Sequence, residues 1–138
     1  MAGRSFIDTN VFIYSVDTSE PDKQRRAQQV LRDTPGIVVS TQVLNEFYNI
    51  STRKLRPPLP ASEAAAAVEG MAGYSCVPVD VDLVLRAIRA GRRWQLSHWD
   101  ALMVEAARQA GCDRVLTEDL SDGASYDGLR IENPFRTG

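Results

Sequence analysis

Short apolar runs alternate along this chain with longer stretches in which apolar residues return every three or four positions. Arg4 to Ile7 reads as a short strand, and Asp8-Thr9-Asn10 supplies capping side chains ahead of a helical turn over Val11 to Ser15. Pro21 opens a helix running to about Arg32, Pro35-Gly36 breaks it, and the β-branched run Ile37 to Ser40 predicts a buried strand. Thr41 caps a helix from Gln42 to about Leu55, which Arg56-Pro57-Pro58-Leu59-Pro60 cannot continue, because proline lacks the amide donor and restricts the residue before it.

Ser62 starts an Ala-rich helix ending near Gly70, Cys76 to Val79 is a third strand, and Val81 to Arg93 has helical periodicity. Ser97 opens a helix that Gly111 stops, with an apolar stripe of Trp99, Leu102, Met103, Ala106 and Ala110 from which Glu105 and Arg108 point away. Arg114 to Thr117 is a fourth strand, Glu118 to Gly128 a polar loop, and Leu129-Arg130-Ile131 a final strand. Strands that alternate with helices predict an α/β fold, a parallel central sheet with helices on both faces. At 138 residues, with no repeat, low-complexity tract or linker, the whole chain 1–138 is expected to be one domain.

Composition narrows the function. A net charge of −2 argues against a protein that coats nucleic acid electrostatically, so any such contact is expected to be local. No apolar run approaches the roughly 20 residues needed to cross a bilayer, and the N-terminal stretch is interrupted by Asp8 and Asn10 and lacks a cleavage site. A cytoplasmic location with no membrane partner is expected. Cys76 and Cys112 form no C-x-x-C pair and are read as buried packing residues.

The acids carry the chemistry. In open α/β sheets, sites form beyond the carboxyl ends of the strands. Asp8 directly follows the first strand, Asp119 closely follows the fourth, and Asp100 lies in the first turn of the helix from Ser97. Glu46 lies about five residues into its helix, on the margin of the apolar stripe of Val43, Phe47 and Ile50, within side-chain reach of the same edge. Asp100 has a capping alternative, since Ser97-His98-Trp99-Asp100 resembles a capping box. Four caps falling on one sheet edge are less economical than one site.

Clustered carboxylates repel, by about 4 kcal/mol for two unit charges 4 Å apart at an effective dielectric of 20, so a cation must compensate. With one histidine and no cysteine pair, an all-oxygen set suits Mg²⁺ or Mn²⁺, which acidify water and screen phosphate charge. Metal-free ribonuclease chemistry commonly needs two histidines, and only His98 is present; no G-x-S-x-G elbow or Gly-rich phosphate loop occurs.

The ordered motifs resemble the PIN domain family, in particular the VapC-type toxins of bacterial toxin–antitoxin pairs. Asp8-Thr9-Asn10 is similar to the family's opening motif, Asn45-Glu46-Phe47 to its helix glutamate, Trp99-Asp100-Ala101-Leu102 to its third acid, and Leu116-Thr117-Glu118-Asp119-Leu120 to its fourth. The likeness spans almost the whole chain, including the ending Asn133-Pro134-Phe135. It implies a Mg²⁺-dependent endoribonuclease cutting an RNA substrate, a cognate antitoxin that occludes the acidic site, and a homodimer or a toxin–antitoxin hetero-oligomer. Asp8, Glu46, Asp100 and Asp119 would be its catalytic and metal-holding residues, with Thr9, Asn10, Thr117 and Glu118 in support. Adjacent Glu118 and Asp119 leave the fourth acid open, and the T-x-D pattern favours Asp119.

Two basic groups are candidates for RNA or antitoxin contact: Arg53, Lys54 and Arg56 before the proline loop, and Arg86, Arg89, Arg92 and Arg93 along one helix. Both also fit a solvated basic face. His98 reads as an exposed bystander, and Trp94 and Trp99 as core or dimer contacts rather than base-stacking platforms. The rivals are a catalytically silent PIN fold that binds RNA or a partner, and a haloacid-dehalogenase-like phosphatase. The latter is disfavoured because Asn10 stands where its second Asp is needed.

Overall fold

The computed structural model describes residues 3–136. Its elements run β1 (Ser5–Ile7), α1 (Thr9–Val16), α2 (Pro21–Asp33), β2 (Ile37–Ser40), α3 (Thr41–Arg53), α4 (Ala61–Met71), β3 (Ser75–Val77), α5 (Val81–Trp94), α6 (His98–Gln109), β4 (Arg114–Leu116), β5 (Ser125–Tyr126) and β6 (Leu129–Glu132). The strands form one sheet in the order β3-β2-β1-β4-β6-β5, parallel throughout except for β5 on β6.

All side chains of β1 and β2 are buried. Because successive strand residues point to opposite faces, both faces of the central sheet are covered, as a parallel sheet requires. Phe6, Ile7, Val38, Val39 and Val115 form the middle of the core, and α6 packs on β2 and β4. Gly36 admits β2 beside β1. It takes a φ of 62°, and a Cβ there would meet the Gly3 carbonyl at 2.8 Å.

Four expectations need correction here. The stretch Glu118 to Gly128 is not all loop, since Ser125 and Tyr126 pair antiparallel with Arg130 and Leu129. The signal was Asp127-Gly128, whose positive φ values of 52° and 87° suit a two-residue hairpin turn. Glu105 does not face away from the core, because α6 runs through the centre of the molecule and is buried on every side from Ala101 to Ala107. Trp99, by contrast, is 64% exposed and belongs to no core stripe, since α6 enters the core only after its first turn. The two cysteines are half-buried rather than buried, and desolvation still pushes the Cys112 thiol up to about 11.

Buried Glu105 accepts a bond from Arg108 Nε at 3.2 Å, and Arg108 also donates to the Tyr126 carbonyl at 3.0 Å. Removing the arginine leaves a buried carboxylate uncompensated and frees the hairpin. Arg108→Ala should therefore lower stability by about 2 kcal/mol, discounted for the arginine's partial exposure. Urea unfolding checks this, and an unchanged midpoint would show that the pair contributes nothing.

Candidate active site

The sheet order turns at β1, which pairs with β2 on one side and β4 on the other, with Ile7 opposite Leu116. Such a switch point opens a crevice beyond the carboxyl ends of the strands. Asp8 occupies the β1 end, where its amide donates to the Leu116 carbonyl at 3.0 Å while its side chain caps α1. Ser40, not the expected Thr41, caps α3 through the Val43 amide, while Thr41 begins the helix and its hydroxyl accepts from the Val79 amide at 3.0 Å; the cap places Glu46 over the same crevice. Ser97 accepts from the Asp100 amide at 3.1 Å, so half of the expected capping box forms and the Asp100 carboxylate is left to the crevice.

Asp8, Glu46, Asp100 and Asp119 all line one cavity of about 400 Å³. Asp8 is 9% exposed. Its Oδ1 accepts from the Thr9 amide at 2.7 Å and its Oδ2 from the Thr117 hydroxyl at 2.8 Å. Thr9 Oγ1 donates to Glu46 Oε1 at 2.8 Å. Asn10 Nδ2 lies 3.1 Å from Asp119 Oδ2, 3.2 Å from Thr117 Oγ1 and 3.4 Å from Asp8 Oδ2. Thr117 Oγ1 also accepts from the Asp119 amide at 3.0 Å, which turns that residue into the cavity.

Burial pushes the Asp8 carboxyl up from 3.8 to about 6, opposed by the bonds from Thr117 and Thr9 and reinforced by the charges of Asp119 and Glu46. Asp100 makes no side-chain bond to the other three. Among the described residues, no three acids, histidines or cysteines converge into a ready-made metal cluster. The Thr9 hydroxyl donates to Glu46 and the Asn10 amide lies against Asp8 and Asp119, which relieves part of the repulsion among these acids. The donor set nevertheless fits a hard divalent cation, since it is all oxygen and one acid is held against a desolvation cost that positive charge would relieve. The Asn10 carbonyl oxygen is buried without a donor, a further oxygen left unsatisfied at the same place.

Glu118 turns away from this cavity. It accepts from the Tyr14 hydroxyl at 2.5 Å and from Lys23 at 3.1 Å, and Lys23 lies 4.5 Å from the Tyr14 ring centre. The divergence of Glu118 and Asp119 comes from the turn held by Thr117, not from a continuing strand, because β4 stops at Leu116. Of the basic candidates, Lys54 lines the acidic cavity. Arg53 and Arg56 are exposed nearby in sequence, and Arg89 and Arg92 are exposed on α5. Arg86 and Arg93 are engaged by Asp82 and Asp127.

Sequence reasoning missed Asp17, Tyr14 and Gln42, which also line the cavity. Asp17 lies beyond the expected turn of helix and is carried over the crevice as the C-cap of the longer α1, while Tyr14 lies within that turn and gave no signal beyond its place there. Gln42 offered no signal beyond its place in the first turn of α3.

No relative among curated proteins matches the sequence. Solved structures do match in fold. A toxin–antitoxin complex from Klebsiella pneumoniae has a TM-score of 0.71 at 16% identity, covering 96% of this chain and 99% of that one. VapC20 of Mycobacterium tuberculosis, described as a Sarcin-Ricin loop cleaving toxin, has a TM-score of 0.68 at 22% identity over 83% of this chain and 91% of that one. DNA-bound VapBC from Salmonella typhimurium gives 0.65 at 20% identity over 97% and 99%. The PIN domain model matches residues 5–121, which takes in all four acids and the strands and helices that carry them, and the chain belongs to the PIN domain family.

Proposed function

We propose that this protein is a Mg²⁺-dependent endoribonuclease, with Mn²⁺ an acceptable substitute, and the toxin of a toxin–antitoxin pair. The observation that carries the reading is the meeting of Asp8, Glu46, Asp100 and Asp119 on one cavity at the switch point of a PIN fold. The toxin–antitoxin assemblies among its structural likenesses support an antitoxin partner. The chain would act as a single domain in the cytoplasm, as a homodimer or in a hetero-oligomer with its antitoxin. Among the described residues no helix is long and apolar enough to cross a membrane.

The four acids would hold the cation. When bound, it supplies positive charge that neutralises the scissile phosphate and acidifies water. Each remaining task falls to the chain. The Thr9 amide and the Thr117 hydroxyl fix both oxygens of Asp8, so its ionised form is oriented before any ion arrives. Thr9 holds one oxygen of Glu46 and leaves the other to the cavity. Asn10 and Thr117 keep Asp119 turned inward, and Lys54 at the rim offers a phosphate contact.

Purified antitoxin-free protein, incubated with total RNA and defined tRNAs, should cut in Mg²⁺ or Mn²⁺, stop in EDTA and resume when metal is restored. Cleavage indifferent to EDTA would overturn the metal-dependent mechanism. Absence of cleavage across all RNA classes would overturn the enzyme reading.

A further inference from the structure

A second recess, of about 460 Å³, opens beside the acidic cavity and shares Gln42, Glu46 and Trp99 with it. Its volume lies within the range of about 300–1,000 Å³ typical of small-molecule sites. Thr41, Gln42 and Asn45 give it amide and hydroxyl groups, and Val79, Leu102 and Trp99 give it apolar surface. Among the described residues Glu46 is its one charged lining residue.

Trp99 is 64% exposed at the entrance to both recesses, one residue before Asp100, with the His98 ring standing edge-on at 5.5 Å. Single exposed aromatics are common on protein surfaces, so what marks Trp99 is its place in the walls of both recesses. Gln42 carries a deficit. Its carboxamide oxygen is enclosed without a hydrogen bond, while its Nε2 makes a long 3.4 Å bond to the Trp99 carbonyl. An unsatisfied buried acceptor is destabilising, and the cost is recovered if the side chain turns to meet a donor.

We propose that this second recess is a nucleobase subsite, in which Trp99 stacks one unpaired base of the RNA beside the bond to be cut and Gln42 accepts from an N–H on the edge of that base. The inference rests on the ribonuclease reading and adds to it how the substrate is gripped. An uncharged, flat group with polar edges matches a nearly uncharged recess walled by aromatic and amide side chains. An apolar side chain of a protein would leave the Gln42 acceptor unpaired. Splayed single-stranded bases are the part of RNA that proteins read by stacking and edge contacts. A phosphate next to a base on Trp99 would lie over the first turn of α6, the positive end of that helix.

The four 5′-mononucleotides contain no bond to cut, so they test the subsite apart from cleavage. In Trp94→Phe protein, Trp99 is the sole tryptophan. Each mononucleotide, titrated in Mg²⁺, should quench its fluorescence, and unequally, with the inequality narrowed by Gln42→Ala. The wild type minus Trp99→Phe difference gives the same readout if Trp94→Phe folds poorly. In RNA cleavage, Trp99→Ala should raise KM roughly 5- to 100-fold, the equivalent of one lost base–aromatic stack, with less than about a threefold change in kcat and with Trp99→Phe between the two. No quenching by any mononucleotide, together with a wild-type KM in Trp99→Ala, would overturn the subsite and leave the ribonuclease reading standing. Quenching by a protein that cuts no RNA would support the subsite and overturn the ribonuclease reading. A wild-type KM with lost antitoxin binding in Trp99→Ala would assign the recess to a protein partner and overturn the proposal.

Discussion

Asp8→Asn should abolish cleavage, by about 1,000-fold or more, and at the same time make the metal-free protein more stable. The two effects share one cause. Asp8 is buried with Asp119 and Glu46 acting on it, and its carboxyl is raised from 3.8 to about 6. Since the folded value lies above the unfolded one, ionising Asp8 costs folding energy. The cost is absent below about pH 4, grows as pH rises toward 6 and is complete above that, where it is on the order of 3 kcal/mol. Asparagine keeps the shape and can still accept from the Thr9 amide, so the variant escapes this cost at pH 7. Urea titrations at several pH values should show its advantage shrinking as pH falls toward 4. Mg²⁺ should shrink it at pH 7 by stabilising the wild type alone. An Asp8→Asn protein no more stable than wild type at pH 7 would show that Asp8 is not held under strain.

Adjacent acids should respond oppositely to the same change. Asp119→Asn should slow cleavage more than about 100-fold, beyond the loss expected for a supporting contact, because Asp119 lines the acidic cavity beside Asp8. Glu118→Gln should slow it less than about tenfold and cost stability instead. It weakens an ion pair with Lys23 and a bond from Tyr14 that tie α1 and α2 to the turn after β4. Both groups are partly exposed, so about 1 kcal/mol is the expected size. Rates measured beside unfolding midpoints decide the matter. If Glu118→Gln proved as inactive as Asp119→Asn, the turn would be part of the metal machinery.

Much of this arrangement was legible beforehand because the informative signals are local. Asp8 follows an apolar run and precedes a helix, Ser97 stands where a cap belongs, and Glu46 sits on the margin of a helical stripe, whereas the cap of α3 falls one residue earlier than expected, on Ser40. Those features place acids on a sheet edge without any knowledge of packing. What the residues concealed was relational. Glu105 looked like a surface charge because its helix position is three from Arg108 and off the stripe, yet α6 is surrounded on all sides and the pair goes in together. Trp99 looked like core because it falls on the stripe, but a first-turn residue can project from the end of a buried helix. The bridging of carboxylates by Thr9 and Asn10 depends on side-chain approach between distant segments, which spacing alone does not contain.

The position of β4 between β1 and β6 also bears on how this protein comes into being. Chains emerge from the ribosome N-terminus first, and segments fold as their partners become available. Asp8, Glu46 and Asp100 are all made before the strand that brings Asp119 to them, and that strand in turn pairs with β6, made later still. A nascent chain halted before β6 therefore has every lining residue of the acidic cavity but an open edge on β4. If the chain cuts RNA as proposed, the strand made last would steady the turn that holds Asp119, since the Thr117 amide donates to the Glu132 carbonyl of β6 at 3.0 Å, and the site would reach its final form only when nearly all of the fold has been synthesised.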